Sequence, residues 1–105
     1  MKLISRIDEL ILVAIWKLGK DAYGMAVRNE IIRVTGVNWL LGAIYGPLAR
    51  LHRRGLVTSV KGEPTPERGG RAKIYYELTP AGKSALKKIQ EVSAVMWKGA
   101  RKIET

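Results

Sequence analysis

The chain has 105 residues, 47% of them hydrophobic, enough for one domain with a single small core. Its 19 Lys and Arg against 9 Asp and Glu leave a net charge of +10, a balance that suits a polyanionic partner, nucleic acid ahead of an anionic membrane surface. The absence of cysteine excludes disulfides, thiolate metal sites and cysteine nucleophiles, and fits a reducing, cytoplasmic setting.

Other chemistry is thin. The single histidine, His52, has no carboxylate three or four residues away, so no metal site is expected. With that histidine among arginines and no carboxylate pair in an evident pocket, neither an enzyme nor a cofactor is expected. No apolar run reaches the roughly 18 residues of a membrane span. Asp8 and Glu9 interrupt the opening MKLISRIDELILVAIW, which reads as an amphipathic helix rather than a signal peptide.

Ile7, Leu10, Ile11, Ala14, Ile15 and Leu18 recur at helical spacing and predict a first helix over about Ser5–Leu18, capped by Gly19. Asp8 and Glu9 suit the positive end of its dipole. Trp16 falls off the stripe, on a side suited to a partner subunit. Asp21 is the expected cap of a second helix, about Ala22–Val34, with Tyr23, Val27, Ile31 and Val34 as its apolar face. Asn38 is a candidate cap for a third helix beginning at Trp39, with a start near Leu41 as the alternative. Within Leu41–Arg54, residues Leu41, Ile44, Leu48 and Leu51 share one face, and Arg50, His52, Arg53 and Arg54 crowd the end. Gly46 and Pro47 interrupt this helix with residues that cost about 1 and 3 kcal/mol relative to alanine.

After Gly55, two strand-like runs, Leu56–Lys61 and Ala72–Leu78, flank the loop GEPTPERGGR and predict an antiparallel hairpin. Thr79-Pro80 starts a last helix. Its apolar residues Ala85, Ile89, Val92, Met96, Ala100 and Ile103 predict about 23 residues, roughly 35 Å, with a seam close to the coiled-coil repeat.

Three helices, a hairpin and a long helix give a mainly α fold with a two-stranded β-wing: a winged helix-turn-helix over residues 1–78, then a C-terminal dimerisation helix over 79–105. In such docking the third helix enters the major groove of DNA and the second braces the backbone. The last helix has more seam than a small core can bury, which points to a second copy of the chain.

The blocks DAYGMAVRNEI, LGAIYGPLARLHRRGLV and GEPTPERGGRAKIYYELTPAG resemble the PadR-type transcriptional regulators, the wing ERGGRAKIYYELT most densely. The similarity runs to about Leu86 and places the chain with the smaller PadR-like proteins. It implies a dimeric winged helix-turn-helix repressor, with the last helix as dimerisation arm and Tyr45 at DNA. Two departures stand out. Trp39-Leu40 occupy the place of a small polar residue, often serine, and Gly46 stands where many members have proline directly after the tyrosine.

On this reading the DNA-binding candidates are Tyr23, Gly42, Tyr45, Arg50, Arg53, Arg54, Arg68, Arg71 and Lys73. Tyr45 is either a reader or a half-buried support for the wing. Tyr23 is either core or a hydroxyl donor to phosphate. Gly42 and Gly46 either admit close backbone approach or are tolerated defects. The arginines of the third helix are phosphate ligands or a solvated face. Arg71, after two glycines, suits a narrow minor groove.

The dimerisation candidates are Ile89, Val92, Met96, Ala100 and Ile103. In some relatives, aromatic residues of the last helix line a cavity at the dimer centre that takes flat apolar compounds. Trp16 and Trp97 are the candidates for such an effector site, or else interface packing. The partners expected are double-stranded DNA, a second copy and, where one exists, a small-molecule effector. The competing readings are a non-specific basic nucleic-acid module and a small-molecule sensor.

Overall fold

The computed structural model describes residues 3–62 and 73–104. Its helices are α1 (Arg6–Leu18), α2 (Gly24–Thr35), α3 (Gly42–Arg53) and α4 (Pro80–Trp97), with strands β1 (Val57–Lys61) and β2 (Ile74–Leu78) between α3 and α4.

α1 is the axis of the core and packs against α2, α3, β2 and α4. Ser5 caps it by accepting the Asp8 N–H at 3.2 Å, and Gly19 ends it at φ 58° with its N–H on the Ile15 carbonyl. Because partners surround α1, Leu12 is as completely buried as Ile11, although it lies off the stripe read from the sequence. Ile11, Leu12, Val27, Ile44, Leu48, Leu51 and Val57 are the largest fully enclosed side chains.

The start of α2 differs from expectation. Asp21 does not cap it: it lies exposed in a short 3-10 turn, Gly19–Asp21, and its carbonyl accepts the Tyr23 N–H at 3.0 Å. Ala22 is held in this tight turn, at φ −83° and ψ 71°, and the extended Tyr23 after it meets the edge of β2. Tyr23 bridges Tyr75 antiparallel, and the Tyr76 N–H donates to the Ala22 carbonyl at 2.7 Å. At the other end Val34 is exposed rather than core, because α2 overhangs its partners past Ile31. Gly36, left-handed at φ 72°, closes the helix.

α3 starts at Gly42, the later of the two expected positions. Asn38 cannot cap it, because Arg28 of α2 holds the connecting segment: Nε donates to the Trp39 carbonyl at 2.6 Å and Nη2 to Asn38 Oδ1 at 3.2 Å. The indole N–H of Trp39 reaches Thr35 Oγ1 at 3.3 Å while its ring packs on the core. Pro47 is accommodated inside the helix. Its missing N–H leaves the Ala43 carbonyl free, but Ala43 is exposed, so solvent satisfies that oxygen.

Glu30 of α2 ties α1 to α2. It receives Arg33 through Nε at 2.9 Å and Nη2 at 2.8 Å, and Lys17 of α1 as well. These bonds, Arg33 first, hold its carboxyl down from 4.5 to about 2.

The hairpin pairs in the expected antiparallel sense, from Val57 opposite Leu78 to Lys61 opposite Ile74. The loop predicted between its strands, with Arg68 and Arg71, lies outside the described residues. Thr79 caps α4 by accepting the Gly82 N–H at 3.0 Å and donates its own hydroxyl to the Gly55 carbonyl at 2.6 Å. α4 is shorter than predicted: 18 residues, ending at Trp97. Lys98 is extended and Gly99 has φ 79°, so the helical seam stops at Met96 and Ala100 and Ile103 lie beyond the helix. A glycine in that position is a natural helix stop, and it overrides the helical spacing of the apolar residues beyond it.

Candidate nucleic-acid interface

Two faces of α3 do different work. Ile44, Leu48 and Leu51 are buried in the core. Gly42 and Gly46 face open space, since a Cβ at either would meet nothing within 4 Å. The same outer face carries Tyr45, Ala49, His52 and Arg53, which border the hairpin.

Tyr45 is partly exposed and partly packed. Its side chain is 44% exposed, yet the hydroxyl end of its ring lies against Gly24 at the start of α2. A Cβ at Gly24 would lie 2.6 and 2.8 Å from two ring carbons, so only glycine lets the tyrosine settle there. Tyr76 of β2 stands on its other side. Burial pushes the Tyr76 phenol above its usual range, and the charge that Tyr45 would carry adds to the effect.

Arg50 is not a free cation. Its guanidinium donates to Asp8 Oδ1 at 2.7 Å, and Asp8, in the first turn of α1, is 2% exposed. This pair spans 42 residues of chain and locks α3 onto α1, a fixing contact for Arg50 that the sequence did not reveal. Arg53 is exposed and Arg54 half-buried, and neither is in a salt bridge among the described residues.

At the base of the wing, Tyr23, Tyr75 and Lys73 form one cluster. The tyrosine rings meet edge to face with centroids 5.7 Å apart, and Lys73 Nζ lies 4.0 Å from the Tyr23 ring centroid. The cluster joins β2 to the N-terminus of α2, so it stiffens the wing root and leaves a cation at the surface. Sequence reasoning missed His52, Ser59 and Tyr76 as members of this surface. Only the register of the hairpin against α3 brings them together, although strand alternation does put Ser59 and Val57 on one face.

The apolar candidates lie away from α3. A groove of about 620 Å³ runs between α1 and α4, with Val13, Trp16, Leu86 and Ile89 along it. Lys83 Nζ stands 5.5 Å from the Trp16 ring centroid. Trp97 does not line this groove, so one chain alone does not bring the two tryptophans into one site. Val92, Val95, Met96 and Trp97 are exposed on the far half of α4.

A helix pair joined by a tightly held turn, followed by a hairpin packed beside the second helix of the pair, defines a winged helix-turn-helix DNA-binding regulator. Comparison with known proteins resolves the class further. The model of the transcriptional regulator PadR-like family matches residues 11–88, and the chain belongs to that family of non-enzymatic, DNA-binding transcriptional regulators. Among solved structures, it is similar to a PadR family transcription regulator from Clostridium difficile R20291, at 29% identity over 90% of this chain and 93% of that one, with TM-score 0.69. It also resembles a transcriptional regulator from Clostridium thermocellum, at 25% identity over 87% and 85% of the two chains, with TM-score 0.69. A PadR-like regulator from Bacillus cereus, 18% identical over 88% and 84%, shares the fold with TM-score 0.72. Comparison with curated protein sequences gives no significant match.

Proposed function

We propose that the protein is a homodimeric, sequence-specific repressor that acts in the cytoplasm and binds an inverted-repeat operator. Residues 1–78 form the DNA-binding unit, and 79–105 the dimerisation arm. Two α3 helices, one per subunit, enter major grooves about 34 Å apart, and the wings, with Arg68 and Arg71, reach the flanking minor grooves. Occupying a promoter in this way blocks it.

The observation that carries the dimer is the unpartnered apolar surface of α4. Val92, Val95, Met96 and Trp97 are exposed on it at 38%, 71%, 75% and 59%, beside the groove that holds Trp16. An apolar patch of this kind on a helix end is what a second copy covers. Ile89, Val92 and Met96 form the helical part of the seam, continued by Ala100 and Ile103. Where an effector exists, a flat apolar compound would lodge by Trp16 and the partner's α4 and change the spacing of the two α3 helices.

Replacing Ile89 with glutamate tests this arrangement. A charge in the seam is expected to halve the mass seen by analytical ultracentrifugation and to reduce operator binding to that of single half-sites. An unchanged dimer mass would put the interface elsewhere.

A further inference from the structure

The side of α3 that turns toward the hairpin has a counterpart. Ser59 of β1 and Tyr76 of β2 are register partners, and their side chains share the face of the hairpin that looks at α3. Between them and α3 lies an open cleft of about 410 Å³ lined by Tyr45, Leu48, Ala49, His52, Arg53, Ser59 and Tyr76. Its polar groups are two phenols, an imidazole, a guanidinium and a hydroxyl, with no carboxylate. Every one of them can donate a hydrogen bond, and one is a permanent cation. This lining suits an oxyanion.

The position of the cleft identifies the anion. With α3 in a major groove and the hairpin at the next minor groove, the ridge between the two grooves is a sugar-phosphate strand. That strand has to pass between α3 and the hairpin, across this opening. We propose that the cleft seats one backbone phosphodiester per subunit, with Tyr45, His52 and Arg53 on the α3 wall and Ser59 and Tyr76 on the hairpin wall; the proposal rests on the DNA-binding reading above. The Tyr76 phenol, held in its protonated form by burial, is a donor to a phosphate oxygen.

The full-length protein and a duplex selected by it from random DNA supply the test, with an uncharged methylphosphonate placed at each backbone position in turn. His52 and Ser59 are exposed, so His52→Gln and Ser59→Ala keep the fold. For the wild type, one position per half-site is expected to lose about tenfold in affinity when neutralised. In His52→Gln and in Ser59→Ala the affinity for the unmodified duplex falls, and neutralising that same position costs less than it does in the wild type. Wild-type affinity and an unchanged methylphosphonate profile in both variants, on a duplex that the wild type still prefers, would overturn the phosphate site and leave the DNA-binding reading intact. No preference of the wild type for the selected duplex would overturn both.

Discussion

Arg50→Ala is expected to destabilise the fold by about 2–3 kcal/mol, as the Asp8 carboxylate is left buried without its partner. Removing one member of a buried ion pair costs about 3–5 kcal/mol when both are enclosed. Here the Asp8 side chain is 3% exposed and that of Arg50 46%, so water partly replaces the lost guanidinium and the lower figure applies. The unfolding midpoint should fall by on the order of 10–20 °C. The cause can be isolated with a double-mutant cycle against Asp8→Ala: the two single losses should together exceed the double loss, because the second truncation removes the orphaned charge. Additive losses, or an Arg50→Ala midpoint equal to the wild type with a shallower salt slope for DNA, would return Arg50 to the role of a phosphate ligand.

Gly82→Ala should be comparably damaging, against the usual sign of such a change. In an exposed helix interior this substitution gains about 1 kcal/mol. At Gly82 an added Cβ would run into the Leu56 backbone, with the carbonyl carbon 3.0 Å away and the oxygen closer still. The neighbour is main chain, so no rotamer change relieves the clash. The first turn of α4 must lift off the Gly55-Leu56 turn, which threatens the Thr79 hydroxyl bond to the Gly55 carbonyl. Overpacking of this kind costs about 1–3 kcal/mol and occasionally more. A net loss of about 2 kcal/mol or more in denaturant unfolding is expected, with α4 less protected in hydrogen exchange. A stabilised protein would mean that α4 does not sit this tightly on the domain.

Both residues show where sequence reasoning stops. Local periodicity placed α1, the buried stripe of α3, the hairpin and the start of α4, since apolar spacing and caps such as Ser5 and Thr79 act within a few residues. The Arg50–Asp8 pair spans 42 residues, and nothing near Arg50 in sequence marks it as different from Arg53. Likewise the need for glycine at 24 and 82 comes from Tyr45 and Leu56, which only the folded chain brings near. Asp21 failed as a cap because its segment was needed for the turn that brings Tyr23 to the edge of β2, a tertiary demand that overrides local preference. α4 stopped early because Gly99 outweighs the apolar spacing that continues to Ile103. The DNA-facing surface was legible in part. Tyr45 and Arg53 lie on it, while its other wall, Ser59 and Tyr76, depends on how the hairpin packs.

The central claim is that α3 and the hairpin read a particular DNA sequence as a symmetric pair. The most direct test is to select bound duplexes from random DNA, then measure affinity for the selected and a shuffled duplex at physiological salt, with a footprint on the former. The account expects a preference of about 10³-fold or more and two protected half-sites about 34 Å apart. Equal affinities, or protection without two half-sites, would contradict it.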